Sequence, residues 1–230
     1  MKNAVIAGYV RSPFAFAQQG ELAKVRPDDL AAQIVRGLVE KTGIDPTDVE
    51  DLILGCAFPE GEQGLNIARL VVLAADLPIT IAGATVNRFC GSSMYAIHMA
   101  AGAIAMGAGD AFICAGVESM TRVPMGGYNP LPSPKLFEAR PEAYISMGET
   151  AENVARQYQI TRDAQDEFAV GSQNKAVAAM EAGRLDDEIV PIVVGGKKIE
   201  RDGCVRSDTT AEGLANLKPA FDEGGTVTAG

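Results

Sequence analysis

Cys90 lies in the stretch Thr85-Val-Asn-Arg-Phe-Cys-Gly-Ser-Ser-Met94, between a β-forming run and a long helix-forming run of small apolar residues. A thiol at a strand-to-helix switch faces the first backbone N–H groups of the helix, which have no intrahelical partner. Their partial positive charge favours thiolate, the nucleophilic form of cysteine. Gly91 is expected to let the backbone turn tightly and leave the sulfur uncovered. Ser92 and Ser93 suit a first turn, where hydroxyls cap free donors. The competing assignment is a buried cysteine that behaves as a small hydrophobe.

Chemistry at a nucleophilic thiol needs a base beside the sulfur and a second group to move a proton. The single histidine, His98, stands eight residues past Cys90 on the same expected helix. At 1.5 Å per residue that is about 12 Å along the axis, so His98 cannot reach the thiol. It is expected to be a hydrogen-bonded histidine inside the core or an interface. Cys56, Cys114 and Cys204 are read as structural. They lie far apart with no CxxC pair, so neither a metal site nor a disulfide framework is expected. Gly107-Ala-Gly-Asp-Ala-Phe112 imitates part of a dinucleotide fingerprint, but it closes a helix rather than opening one.

Positioning elements follow from periodicity. Ala4–Val10 reads as a buried first strand. Arg26-Pro-Asp-Asp29 opens an amphipathic helix carrying Leu30, Ile34, Val35 and Leu38, which Gly43 stops. Asp51–Gly55 is a strand, Asn66–Ala75 a helix, Ala84–Arg88 a strand, and the helix after Cys90 runs to Gly107. Ala111–Ala115 is another buried strand. This alternation predicts a layered α/β core. Pro124–Pro141 holds five prolines and two glycines and is expected to be irregular. Met147–Tyr158 and a longer segment capped by Thr161 read as helices, the second with Phe168, Ser172, Ala176 and Met180 on one side. Asp187–Val194 and Lys197–Ile199 read as short strands. Residues 1–117 are therefore taken as the core, and residues 118–230 as an inserted subdomain rich in helix and loop.

A formal charge of −10 argues against nucleic acid or an anionic membrane surface as a general partner. Phe89–Gly109 has the length of a membrane span, yet Ala and Gly dominate it, which suits a closely packed helix inside a protein. No membrane partner is expected. Met1-Lys-Asn leads directly into the first apolar run, so a reduced cytoplasm is the expected compartment.

Asn87-Arg-Phe-Cys-Gly-Ser-Ser93 followed by Ala115-Gly-Val-Glu-Ser-Met120 strongly resembles the nucleophile region of the thiolases, which make or cleave 3-ketoacyl-coenzyme A. The likeness continues in Arg11-Ser-Pro-Phe14, Asn66-Ile-Ala-Arg69, Met147-Gly-Glu-Thr-Ala-Glu-Asn-Val-Ala155, Gln165-Asp-Glu-Phe-Ala169 and Ser172-Gln-Asn-Lys175. It closes on Leu217-Lys-Pro-Ala-Phe-Asp222 and Gly225-Thr-Val-Thr-Ala-Gly230. The resemblance implies one βαβαβ half of a two-half fold, with a coenzyme A-binding loop region inserted. It also implies that Cys90 carries the acyl group as a thioester.

By the same resemblance, coenzyme A or acyl-CoA is substrate, no cofactor is permanently bound, and the full-length form is a homo-oligomer, a dimer or a tetramer. Met147, Arg206, Leu214, Phe221 and Ala229 match the family's cofactor-contacting pattern. Of these, only Arg206 could meet a phosphate through a charge-assisted hydrogen bond; its alternative is a solvated surface arginine. Met147 and Phe221 could equally be core residues. Ser146 stands where some biosynthetic members place His, and Gly213 where a Ser often contacts the cofactor. Both departures weaken a claim of acetoacetyl specificity, and the segments Val123-Pro-Met-Gly-Gly-Tyr-Asn-Pro130 and Ala143-Tyr-Ile-Ser-Met147 resemble the degradative, broader-chain members. The family stretches that carry the base and the second thiol, Gly-His-Pro among them, are absent, so the expectation is a truncated chain without turnover on its own. The alternatives are a non-catalytic acyl-CoA-binding subunit, an acetoacetyl-CoA-forming acetyltransferase, and a ketoacyl synthase. The Asn-Arg-Phe-Cys-Gly-Ser-Ser and Thr-Ala-Glu-Asn-Val matches speak against the last.

Overall fold

A computed structural model describes residues 2–230. The chain forms two compact units, one made of the residues up to Asn129 together with Asp187–Cys204, the other of Pro130–Asp186 together with Val205–Gly230.

The first unit is built on three parallel strands, β1 (Asp51–Gly55), β2 (Ala82–Val86) and β3 (Phe112–Gly116), ordered β2-β1-β3. Asp51 pairs with both Ala82 and Phe112, so the three strands run in step and end together at Gly55, Val86 and Gly116. Helices α1 (Pro27–Thr42) and α2 (Ile67–Ala74) cover one face. There Leu52 and Leu54, both fully buried, pack with Ala32, Val35, Ile67, Val71 and Val72. Ile53 points the other way, onto Ala96 and Ala100 of α3 (Ser92–Met106). A strand buried on both faces reads as the continuous apolar run Leu-Ile-Leu, with no alternation. The chain therefore goes β1-α2-β2, then crosses by α3 to β3 on the far side of β1, which is the doubly wound α/β arrangement.

Helix ends follow local chemistry. α1 begins with Pro27 in its first turn and stops where Gly43 takes φ +64°, an angle that costs a glycine little. Gly107 ends α3 in the same way. By length and mean hydropathy, Phe89–Met106 could cross a membrane; in this fold its helical part lies against the sheet. The small residues allow that approach. A β-carbon at Gly55 would lie 2.5 Å from the Ser92 carbonyl carbon and the Ser93 nitrogen, and one at Gly116 would lie 2.5 Å from Ser93 Oγ.

Three expectations are corrected. Ala4–Val10 is not a buried strand: it joins no ladder, and Val5 is 84% exposed and Ile6 75%. An apolar run signals a demand for burial, but a strand also needs a hydrogen-bonding neighbour, and none of the described strands runs alongside it. Pairing begins only at Arg11, whose N–H donates to Glu188 O and whose C=O accepts from Val190 N–H. The proline-rich stretch is not wholly irregular, because α4 (Pro134–Ala139) forms within it. Its first residue is Pro134, tolerated where no intrahelical donor is required, and Ser133 Oγ accepts from Leu136 N–H. The apolar side foreseen for the helix after Thr161 is largely uncovered, with Phe168 79% exposed.

The second unit carries α5 (Met147–Tyr158), α6 (Arg162–Glu181) and α7 (Ala211–Ala215). Two carboxylates organise it. Glu152, 2% exposed, accepts from the Thr226 and Val227 N–H groups. Asp166 pairs with Arg162, whose guanidinium also donates to the Leu214 and Leu217 carbonyls and so ties α6 to α7. Residues 187–204, including the hairpin β4 (Ile192–Val194) and β5 (Lys197–Ile199), return to the first unit. There Asp202 receives two hydrogen bonds from the Arg11 guanidinium, at 2.7 and 2.8 Å.

Candidate active site

Cys90 is exposed, two residues before α3 and beyond the carboxyl end of β2. In open α/β sheets, ligands bind outside these strand ends. The turn that presents it is tightly made. Ser92, 3% exposed, accepts from Arg88 N–H at 2.8 Å and donates to Phe89 O at 2.6 Å. Asn87 Oδ1 accepts from Phe89 N–H at 2.8 Å. The first i to i−4 helical bond is Tyr95 N–H to Gly91 O, 2.9 Å. The N–H groups of Ser93 and Met94 therefore precede the helical ladder, next to the sulfur-bearing residue.

The bend differs from expectation in one respect. Gly91 has φ −89°, open to any residue, and a β-carbon there would only touch Arg88 O at 3.4 Å. The left-handed residue is Phe89, at φ +46°. A bulky residue there costs roughly 1–2 kcal/mol, which the surrounding contacts must offset. Those contacts are the Asn87 bond and the Phe58 ring, 6.0 Å from the Phe89 ring.

The other thiols are placed differently. Cys56 directly follows β1 and is 1% exposed. Burial, then the nearby Glu118 carboxylate, pushes its thiol up to about 12. Cys114 lies under α3 with its Sγ 3.6 Å from Ala96 O, and burial raises its pKa. His98 is exposed on α3, not enclosed in the core.

The five positions matched to coenzyme A contact all belong to the second unit. Met147 opens α5 and is 67% exposed; Phe221 is 51% exposed, its ring lying over Gly148, where any β-carbon would collide with it. Arg206 and Ala229 are exposed, whereas Leu214 is buried. A cleft of about 340 Å³ beside Phe221 is lined by Glu149, Glu152, Asn153, Arg156 and Asp222, among others. Three carboxylates against one guanidinium do not suit a pyrophosphate. Ser146 is accounted for locally. Its Oγ accepts from Glu149 N–H while Glu149 Oε2 accepts from Ser146 N–H, a reciprocal cap for α5.

Asn87 and Glu118 stand inside motifs legible in the sequence, yet the sequence assigns them no role, and it leaves Gln63 unmarked. Gln63 is fully buried and donates to Phe58 O and to Glu118 Oε1. Only one signal could have marked it: a polar residue in the loop beyond a strand that is buried on both faces.

Cys90 thus sits between the end of a parallel strand and the start of a small-residue helix in a layered α/β fold. The model of the thiolase N-terminal domain matches residues 4–230, and the chain belongs to the thiolase family. Among its relatives, the 3-ketoacyl-CoA thiolase of Bacillus subtilis (strain 168) is 45% identical, covering all of this chain and 62% of the relative. That of Saccharophagus degradans is 42% identical, over all of this chain and 60% of the relative. The crystal structure of the Bacillus anthracis acetyl-CoA acetyltransferase superposes with a TM-score of 0.87 at 39% identity, covering all of this chain and 61% of that one. The chain thus spans about three-fifths of the length of these relatives.

Proposed function

We propose that this chain is the acyl-accepting part of a 3-ketoacyl-CoA thiolase. The observation that carries the reading is the exposed Cys90 at the opening of α3, in a turn held by Asn87 and Ser92. In the thiolytic direction, Cys90 Sγ as thiolate attacks the C3 carbonyl carbon of a 3-ketoacyl-CoA. The C2–C3 bond breaks, its electron pair remains on C2, and C2 takes a proton as acetyl-CoA leaves. The acyl group is then a Cys90 thioester. The thiolate of a second coenzyme A attacks it, the Cys90 sulfur leaves, and an acyl-CoA shorter by two carbons is released.

Tetrahedral intermediates on this path carry a negative oxygen, and unpaired N–H groups at a helix opening favour such charge. His98, well up the exposed side of α3, and Cys56, buried and held protonated, are unsuited to the proton transfers. The chain is accordingly proposed to accept an acyl group without completing a cycle on its own. Coenzyme A binding is assigned to the second unit, with Arg206 as the phosphate contact and Met147, Leu214, Phe221 and Ala229 as apolar or backbone contacts. A homo-oligomeric, cytoplasmic form is proposed for the whole protein, with no nucleic acid or membrane partner.

The test is mass spectrometry of the chain after incubation with acetyl-CoA or acetoacetyl-CoA. One hydroxylamine-labile acetyl group on the Cys90 peptide, lost in Cys90→Ser, is the expected result. An acetyl group spread over other residues, or none at all, would defeat the reading. Sustained thiolysis by the chain alone would refute only the claim that it cannot complete a cycle.

A further inference from the structure

Behind the Cys90 turn, the ends of β1 and β3 are cross-linked by two side chains that the acyl transfer does not use. Gln63 has no solvent exposure. Its Nε2 donates to Phe58 O at 2.9 Å and to Glu118 Oε1 at 2.7 Å, and its Oε1 accepts from Ser119 N–H at 2.6 Å. The second Glu118 oxygen, Oε2, accepts from Ala57 N–H at 2.7 Å. The segment after β1 (56–58) is thus bound to the segment after β3 (118–119), with every polar atom of the Gln63 amide engaged.

The same segment meets the Cys90 turn on its other side. Ala57 O accepts from Asn87 Nδ2 at 2.9 Å, and the Phe58 ring lies 6.0 Å from the ring of Phe89, the left-handed residue directly before Cys90. A continuous path therefore runs from Glu118 through Gln63 and Ala57–Phe58 to Asn87 and Phe89. A glutamine buried only to satisfy itself would not need to bridge two strand ends. This one fixes the surface on which the strained residue rests.

We propose that Gln63 and Glu118 are positioning residues for Cys90. By locking Ala57–Phe58, they hold Phe89 in its left-handed conformation and keep the sulfur at the opening of α3. The inference rests on Cys90 being the nucleophile, and the experiment separates the two claims.

Cys90 alkylation by iodoacetamide is followed by peptide mass spectrometry. In parallel, in a Cys204→Ser background, Cys90 is tagged with bromotrifluoroacetone and read by 19F NMR. The variants are Gln63→Leu, Glu118→Gln, Phe58→Ala and Phe58→Tyr, and continued protection of Cys114, held under α3 with its Sγ against Ala96 O, reports an intact fold. The Cys204→Ser chain is expected to give one narrow 19F line. Glu118→Gln, whose side chain has one acceptor oxygen where two are used, and Phe58→Ala are expected to slow Cys90 alkylation by about 3- to 10-fold. They are also expected to broaden or split the 19F line, with Cys114 still protected. Phe58→Tyr, which keeps the ring, restores both signals. Unchanged rates and a single unshifted line in Glu118→Gln and Phe58→Ala would overturn the proposal. Should Gln63→Leu fail to fold, the half-exposed Phe58 pair decides. If wild-type Cys90 reacts no faster than Cys204, the nucleophile reading itself fails.

Discussion

Two cysteines occupy equivalent places in this sheet and meet opposite fates. Cys56 follows the last residue of β1, and Cys90 comes four residues after the end of β2; both lie at the carboxyl edge where ligands are usually bound. The chain after β1 folds back under Gln63 and Glu118, which shut Cys56 away from water and place a carboxylate near its sulfur. The chain after β2 turns at the left-handed Phe89 and enters α3 with Cys90 exposed. The strand end supplies the location. Whether the thiol can act is set by the path the chain takes around it.

The largest consequence is a difference in reactivity. At pH 8, a thiol with its pKa near 12 is ionised in only about one molecule in ten thousand, and Cys56 is also covered. Iodoacetamide should therefore modify Cys90 more than about 100-fold faster than Cys56, with Cys114 also slow, as measured by peptide mass spectrometry over time. Similar rates at Cys56 and Cys90 would erase the contrast.

Backbone space gives the next test. Gly55→Ala should cost about 1–3 kcal/mol in a denaturant titration, because the new carbon drives into the first turn of α3. Gly91→Ala, beside Cys90 but in an ordinary conformation with room for a methyl group, should cost at most about 1 kcal/mol. The reverse ranking would mean that the turn at Cys90 depends on its glycine and not on Phe89.

Acid sharpens the view of how the first unit is held. The Arg11 guanidinium, through its hydrogen bond above all, keeps the Asp202 carboxyl below the usual carboxylate range. A depressed folded pKa contributes stability that is present above the unfolded value, about 3.9, and is lost as pH falls through the folded one. Asp202→Asn should cost about 1–2 kcal/mol at pH 7 and flatten that acid limb in melting curves. An acid limb as steep as that of the parent would show that other carboxylates dominate it.

Alkali provides the smallest and most specific effect. Cys56 has a raised folded pKa, so its contribution is complete below the unfolded thiol value and fades as pH climbs toward about 12. Melting temperature should fall across that window by less in Cys56→Ala than in the parent. A parallel decline in the two proteins would assign the loss to other groups.

Much of this architecture is legible in short stretches of the chain. Leu52-Ile-Leu54 announces a strand covered on both sides, and the Pro27 start and Gly43 stop bracket α1 to the residue. Thr161 announces the helix it caps, whereas the Ser146 cap of α5 emerged only from the structure. Val5 and Ile6 misled because composition records a preference for burial without naming a partner. Pro134 misled because proline breaks a helix from within but not at its first turn. His98 misled in the same way as Val5, since an apolar helix was taken to be enclosed all round. The Cys90 motif was readable because its neighbours form one contiguous string. The Gln63–Glu118 pair was not, because its members are 55 residues apart and meet only when β1 and β3 lie side by side.

Short-range chemistry, meaning backbone preference, caps and the spacing of apolar side chains, thus decided where this chain forms strands and helices and which thiol comes after which strand. It could not decide which of those thiols water reaches. Desolvation, a carboxylate arriving from another strand and an aromatic ring pressed against a left-handed residue are all products of packing between distant segments, and those contacts separate Cys90 from Cys56.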